Sequence, residues 1–400
     1  MIARKRIYCV VGTRPEVIKM APVILDLRAR SWAEVSVLAT AQHRDLLDRA
    51  LEDFGLHADD DLDAMRPGQG LSELTARLLA SVDARLERTE PDLVLAQGDT
   101  TTVFATALAC FYRAIPFGHV EAGLRTFDMA SPFPEEFNRV ATSRIARLHF
   151  APTATARANL LGERVPDGDI VVTGNTVIDA LMKMQARAPA LPIAVPEGAD
   201  IVLVTVHRRE NFGAPLRRIF EGILRLVARF PTLHVVYPVH PNPNVLGCAR
   251  EMLGGRERIH LCAPLSYAEL VAVLGRCRLV LTDSGGLQEE APALGKPVLV
   301  LRNETERPEA VACGAACLIG TDPEVLLDRA GNLLTRADLY ERMSRAGSPF
   351  GDGQAASRIG AALEGFFGVG VETTMMPPSL PTQPAGAAAA GEAQCSRNQR

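Results

Sequence analysis

The chain has 400 residues, 47% of them hydrophobic and 22% charged, with a formal net charge of −4 at pH 7. That length accommodates two ordinary domains, and the balanced charge argues against nucleic acid or an anionic membrane surface as partner. The longest apolar runs are strand-sized, far short of the roughly 18 residues of a membrane span. The opening "MIARKRIYCVV" is basic and then apolar, but it breaks at "GTRPE", too short for a secretory signal, so a cytoplasmic location is expected. Eight cysteines include no CxxC pair and no Cys/His ligand spacing. They read as reduced, small buried side chains, and no metal is expected.

Short runs rich in Val, Ile and Leu alternate with helical stretches. Through the first half they are "IYCVV" (7–11), "VSVLA" (35–39), "LVLAQ" (93–97), "FGHV" (117–120) and "LHF" (148–150). Through the second they are "IVLVTV" (201–206), "LHVVYPV" (233–239), "RIHLC" (258–262), "RLVL" (278–281) and "PVLVL" (297–301). Continuously apolar strands between helices imply parallel sheets covered on both faces. Two such series imply an α/β protein of two doubly wound, Rossmann-like domains. The Pro- and Gly-interrupted stretch "RAPALPIAVPEGAD" (187–200) puts the linker near or before it, and the expected domains are 1–175 and 176–351. The segment 369–400 lacks periodicity and is rich in Pro, Ala and Gly, the composition of a disordered tail.

In open parallel sheets, ligands bind beyond the carboxyl ends of the strands. Polar motifs sit there repeatedly: "GTRPE", "QGDTT", "EAGLRT", "HRREN" and "DSGG". Loops from the two halves are expected to face each other across one cleft. No GxGxxG follows the first strand and no Walker A sequence occurs, so neither NAD binding nor phosphoryl transfer from ATP is indicated. An anion-handling set occurs instead. Arg14 and Lys19 flank a helix start in "GTRPEVIKMAP", and Arg307 follows the last strong strand in "NETERPEA". Gly285 and Gly286 of "TDSGGLQEEAPALGKPV" leave backbone N–H groups open to phosphate. The competing reading of that turn is a plain strand-to-helix junction capped by Asp283 or Ser284. Glu290, one turn into the helix, is placed to accept the hydroxyls of a ribose.

Carboxylates form a second set. Asp99 ends a strand in "QGDTT", Glu121 ends another in "HVEAG", and Glu135 and Glu136 lie in the loop "SPFPEEFNR". Partial desolvation at an apolar strand end raises a carboxyl pKa toward values useful in proton transfer, although each acid has the alternative of capping the next helix. His207, delivered by "IVLVTV" with Arg208 and Arg209 beside it, is a candidate phosphate donor or acid. Gln42 in "TAQHRD" and His240 in "YPVHPNP" complete the candidates.

The segments "GTRPEVIKMAPV", "TAQHRDLLD", "RPGQGL", "QGDTTT", "GHVEAGLRT", "FPEEFNR", "TGNTVIDAL", "HRRENFG", "YPVHPNPNV", "TDSGGLQEEAPALGKPVLVLRNETERPEAV" and "GDGQAASRI" together resemble, in order, the non-hydrolysing UDP-N-acetylglucosamine 2-epimerases. The resemblance implies the two-domain GT-B architecture, a helix near 352–368 returning to the first domain, and a homodimer. It also implies reversible interconversion of UDP-GlcNAc and UDP-ManNAc, feeding surface polysaccharide synthesis without a redox cofactor or a metal. In such enzymes UDP is eliminated to leave a 2-acetamidoglucal, then added back after protonation on the other face.

By carry-over, Asp99, Glu121, Glu135 and His207 are the catalytic set. Arg14, Lys19, Arg125, Asn175, Ser284, Gly285, Gly286, Glu290 and Arg307 bind substrate, with the Ser284–Gly286 turn on the diphosphate and Glu290 on the ribose. Gln42 and His240 fit a second, allosteric UDP-GlcNAc site, although Asp45 and Gly68 stand where activated members have glutamine and arginine. Gln97 and Val206 also depart from some relatives, and neither is expected to touch a proposed proton carrier. Rival readings are an epimerase of a related UDP-2,3-diacetamido sugar, a UDP-sugar glycosyltransferase on the same fold, and a non-catalytic nucleotide-sugar sensor.

Overall fold

The computed structural model describes residues 4–40, 44–64, 66, 68–187 and 189–369. They fall into two compact units, one running to Lys183 and resuming at Phe350, the other Met184–Pro349. The first crossing between units therefore lies inside the helix Thr176–Gln185.

The first unit contains β1 (Lys5–Val11), β2 (Ala33–Ala39), β3 (Asp60–Asp61), β4 (Leu93–Gln97), β5 (Phe117–Val120), β6 (Leu148–Ala151) and β7 (Ile170–Val172). They form one sheet in the order β3-β2-β1-β4-β5-β6-β7, with every ladder parallel. β4 is buried at every position, which is why its sequence is an unbroken apolar run ending in Gln97.

The second unit contains β8 (Asp200–Thr205), β9 (Leu233–Pro238), β10 (Ile259–Cys262), β11 (Leu279–Thr282), β12 (Val298–Val300) and β13 (Ala316–Leu318), in the order β10-β9-β8-β11-β12-β13, again all parallel. Its core gathers Phe220, Ile223 and Leu226 of one covering helix against Val202, Val235 and Tyr237 of the sheet. Both sheets are thus doubly wound, and the strand order reverses between β1 and β4 and between β8 and β11. The crevice beyond those strand ends is where such a sheet accepts a ligand.

Every strand expected from an apolar run is present. The three that no such run marks, β3, β7 and β13, lie at sheet edges and are only two or three residues long. An edge strand has one paired side and less to bury, so its sequence carries a weaker signal. Glu135 and Glu136, expected in a loop, instead open the helix Glu135–Ile145.

The helix Ala355–Phe367 belongs to the first unit. Asp179 caps it, accepting from Ala355 N–H at 3.2 Å and Ala356 N–H at 2.8 Å. Glu364 accepts from Arg30 Nη1 at 2.5 Å and from Trp32 Nε1 at 2.8 Å. Gly360 permits this approach, because a Cβ there would lie 2.4 Å from both Arg30 Nε and Asp26 Oδ2. The tail from residue 370 lies outside the described residues. Among the described residues no helix is long and apolar enough to cross a membrane, and the described cysteines are free thiols.

Candidate active site

In the first unit the site grows from the ends of β1, β4 and β5. Thr13 and Glu16 form a capping box at the start of the helix Arg14–Arg28, and Arg14 is that helix's first residue, partly exposed. Glu16 is 2% exposed. It accepts from Gly12 N–H at 2.5 Å, Thr13 N–H at 3.0 Å and Thr100 Oγ1 at 2.5 Å, so it ties the loop after β1 to the loop after β4. Burial raises its carboxyl to about 7 against the opposing pull of these three hydrogen bonds.

Glu121 follows β5 with φ +65°, a left-handed conformation uncommon outside glycine and frequent at functional positions. Its carboxylate accepts from Lys19 Nζ at 2.6 Å and from Asn175 Nδ2 at 2.7 Å. Gln97 Nε2 donates to its other oxygen. Three of the residues singled out from the sequence therefore meet at one carboxylate. The expectation that Gln97 touches no proton carrier is corrected, because Gln97 ends β4 directly beside the end of β5. Lys19, expected on phosphate, has Glu121 as its partner here.

Asp99 accepts from Arg139 Nη1 at 2.8 Å, and its backbone carbonyl accepts from Asn138 Nδ2 at 2.8 Å. Burial pushes the Asp99 carboxyl above its usual range; Arg139 and Lys19 oppose this, while Glu121 and Glu135 add to it. Those Coulombic effects place Asp99, Glu121 and Glu135 within one field. Glu136 plays a different part. Its 1%-exposed carboxylate receives the other edge of Arg139 at 2.6 and 3.0 Å and the N–H groups of Thr126 and Phe127 at 3.0 and 2.9 Å. Arg125 is not brought to this cluster. Its side chain is 1% exposed and bidentate on Glu163 at 2.6 and 2.9 Å, with Ser143 Oγ at 2.9 Å. His119 donates Nε2–H to the Gly98 carbonyl at 2.7 Å, and burial lowers its pKa to about 3, so the ring is neutral.

In the second unit the site grows from the ends of β8 and β11. Asp283 does not cap the helix Gly285–Ala293. Its fully buried carboxylate turns back to accept from His207 N–H at 3.0 Å, Arg208 N–H at 2.9 Å and Asn211 Nδ2 at 3.0 Å. Ser284 is the N-cap residue, yet its side chain makes no capping hydrogen bond. The helix thus starts without a side-chain cap, the condition under which its N–H groups serve an anion. A Cβ on Gly285 would lie 3.8 Å from Arg208 Nη2 and 3.9 Å from Arg307 Nη2, so two guanidinium groups converge on that glycine.

Arg307 is oriented by the buried Glu289, which accepts from its Nε. Thr305, which accepts from Arg307 N–H at 3.0 Å, donates to Gln288 at 2.5 Å. Against the burial that raises it, Arg302 and Arg208 hold Glu306 down to about 2. Glu290 accepts from Tyr267 Oη at 2.9 Å and its other oxygen lies 3.7 Å from a Cβ on Gly286. His207 stacks on the exposed His240 with ring centroids 5.6 Å apart. Burial lowers the His207 pKa, Asp283 opposes this, and His240 and Arg208 reinforce it. Gln42 lies outside the described residues.

Several working residues have no role that the sequence alone assigns. Glu16 carries a readable signal, the T-x-x-E capping box of "TRPE". The i,i+3 spacing of Glu136 and Arg139 in "EEFNR" is a second. Glu289, Tyr267 and Asn211 offer none, since their contacts are made by tertiary packing. The first unit thus gathers carboxylates at its strand ends, with Glu16 and Asp99 raised by burial, and the second brings two guanidinium groups to a helix start without a side-chain cap. Among the described residues no three His, Cys, Asp or Glu side chains are grouped to hold a metal ion.

The family model for UDP-N-acetylglucosamine 2-epimerase matches residues 25–364. The chain is 48% identical over 364 residues to the UDP-N-acetylglucosamine 2-epimerase of Bacillus subtilis (strain 168), spanning 91% of this chain and 96% of that protein. It is 47% identical over 369 residues to the one from Escherichia coli (strain K12), spanning 90% and 98%. The crystal structure of the UDP-GlcNAc 2-epimerase from Neisseria meningitidis bound to UDP-GlcNAc matches with a TM-score of 0.83 at 44% identity, covering 90% of this chain and 99% of that one. With its two doubly wound parallel sheets, the chain belongs to the UDP-N-acetylglucosamine 2-epimerase family.

Proposed function

We propose that the protein interconverts UDP-GlcNAc and UDP-ManNAc by eliminating and re-adding UDP, in the cytoplasm, as a step supplying surface polysaccharide synthesis. The reaction asks for two kinds of group, and each unit offers one. The C2 proton is weakly acidic, so its removal and return on the opposite face need positioned carboxylates; Asp99, Glu121 and Glu135 take that work. The departing diphosphate needs donors already aimed at its developing charge; the Ser284–Gly286 turn, Arg208 and Arg307 take that. Glu290 receives the ribose, and Arg14 and His207 complete the phosphate contacts. Asn175 and Lys19 act through Glu121, and Arg125 acts as a brace. The observation that carries the reading is the uncapped helix start at Gly285 with two guanidinium groups converging on it.

The protein works as a homodimer in this reading. Phe111, Tyr112, Phe127, Met129, Phe133 and Phe137 are between 49% and 77% exposed. They lie on the helices Thr101–Tyr112 and Glu135–Ile145, which pack together, and on the loop entering the second. Large apolar side chains concentrated in this way mark a surface that a second copy covers.

Proton NMR of the purified protein with UDP-GlcNAc in deuterated water tests the activity. Deuterium must enter at C2 and the manno isomer must appear; binding without exchange would leave only a nucleotide-sugar sensor.

A further inference from the structure

Asp99 is backed by a cation that the reaction itself does not call upon. Arg139 is 8% exposed and spends three of its five donors within the cluster, Nη1 on Asp99 at 2.8 Å and Nε and Nη2 on Glu136 at 3.0 and 2.6 Å. One rigid guanidinium fork is thus shared by two carboxylates. Glu136 in turn takes the N–H groups of Thr126 and Phe127, so the cation's second partner is anchored to the backbone. Arg139 also stands four residues after Glu135 in the helix Glu135–Ile145, a spacing that puts both side chains on one face. A single helix therefore carries one acid of the cluster and the clamp on another.

We infer that Arg139 is a positioning residue for Asp99, fixing where its carboxylate lies and how readily it ionises, with Glu136 dividing the cation's charge. The inference rests on the epimerase reading, which gives Asp99 its part in proton transfer. The charged groups facing Asp99 are Lys19 and Glu16 from the helix Arg14–Arg28, Glu121 at the end of β5, and Glu135 and Arg139. Arg139 is the first of these opposing the effect of burial. Removing it leaves Lys19 against three acids, and Asp99 holds its proton to higher pH. Neutralising Glu136 does the reverse, because Arg139 then answers to Asp99 alone. A brace that served stability only would leave the limb of the rate profile where it is, so the two readouts must move together.

The test is a carbon-13 NMR titration of the Asp99 carboxyl in the full chain, alongside the pH dependence of kcat/KM for epimerisation. Arg139→Met should raise the Asp99 midpoint by about 1–2 pH units and move the matching limb of the rate profile with it. Arg139→Lys should restore most of both, and Glu136→Gln should move the midpoint down. Should Arg139→Met not fold, Glu136→Gln carries the test alone, since an amide still accepts from Thr126 and Phe127. Midpoints unmoved in the folded variants, or moved the same way by both, overturn the inference. An inactive wild-type enzyme would instead strike the epimerase reading, and the titration would still report on the Arg139–Asp99 pair.

Discussion

The buried carboxylate of Glu289 holds Nε of Arg307, and that contact decides which edge of the guanidinium looks toward Gly285. The two adjacent acids of "QEEAP" therefore serve different ends, Glu289 on an arginine and Glu290 on Tyr267. Glu289→Gln leaves the helix intact but weakens a charge-assisted bond. UDP affinity should fall by roughly tenfold, about 1.5 kcal/mol. Isothermal titration calorimetry with UDP measures it; an unchanged Kd would mean Arg307 needs no such guide.

Gly285→Val fills the space between Arg208 and Arg307. The nearest atoms to its Cβ lie 3.8–3.9 Å away, so the fold has room for the first carbon. The added methyls occupy the approach to the helix N–H groups, and UDP binding should drop at least tenfold with thermal stability kept. Near-normal affinity in the folded variant would return the turn to a plain strand-to-helix junction.

Asp99→Asn, Glu121→Gln and Glu135→Gln should each keep UDP binding, since the proposed nucleotide contacts, Arg14 apart, belong to the second unit. Epimerisation should fall by about 10² to 10⁴ in each. One of them is expected to leak free UDP and the glycal, elimination continuing while re-addition fails. If all three kept near-full rates by the deuterium assay, the cluster would be structural.

Glu16 gives a pH signature in stability. Its folded pKa stands at about 7 against an ordinary 4.5, so the folded state holds a proton the unfolded state has released. The contribution is fully present below about 4.5 and is lost as pH rises through about 7. Glu16→Gln, which accepts the same backbone N–H groups without a charge, should flatten the melting-temperature profile across that window. An identical slope in both proteins would remove Glu16 as the cause.

Replacing Phe111 and Tyr112 together with Ser should shift the protein toward monomer in multi-angle light scattering while its circular dichroism stays native. An unaltered dimer would place the contact elsewhere, and a monomeric wild type would sink the homodimer.

What can be read from the sequence follows from burial. β4 and β8 sit mid-sheet and must be apolar throughout, so "LVLAQ" and "IVLVTV" announce themselves; the edge strand Asp60–Asp61 has nothing to announce. The site divides in the same way. Asp99, Glu121 and the Gly285 turn stand at the ends of those legible strands and are legible with them. In "FPEEFNR" the spacing offers Arg139 either glutamate, four or three residues before it, and the choice is settled by the backbone of Thr126 and Phe127 packing around Glu136. Asp283 looks like a cap because it precedes a helix; the N–H groups of His207 and Arg208, brought alongside by the pairing of β8 with β11, claim it instead.

The helix Ala355–Phe367 sets an order of events during synthesis. Its partners Asp26, Arg30 and Trp32 leave the ribosome near the start of translation, whereas Glu364 and Phe367, the latter 6.0 Å from Trp32 between ring centroids, are made after the whole second unit. At about 5–20 residues per second, the surface that receives them stays uncovered on the order of ten seconds or more. The unit that is begun first is therefore the last to be finished, and a nascent chain stalled before this helix leaves Arg30 and Trp32 without the partners that Glu364 and Phe367 supply.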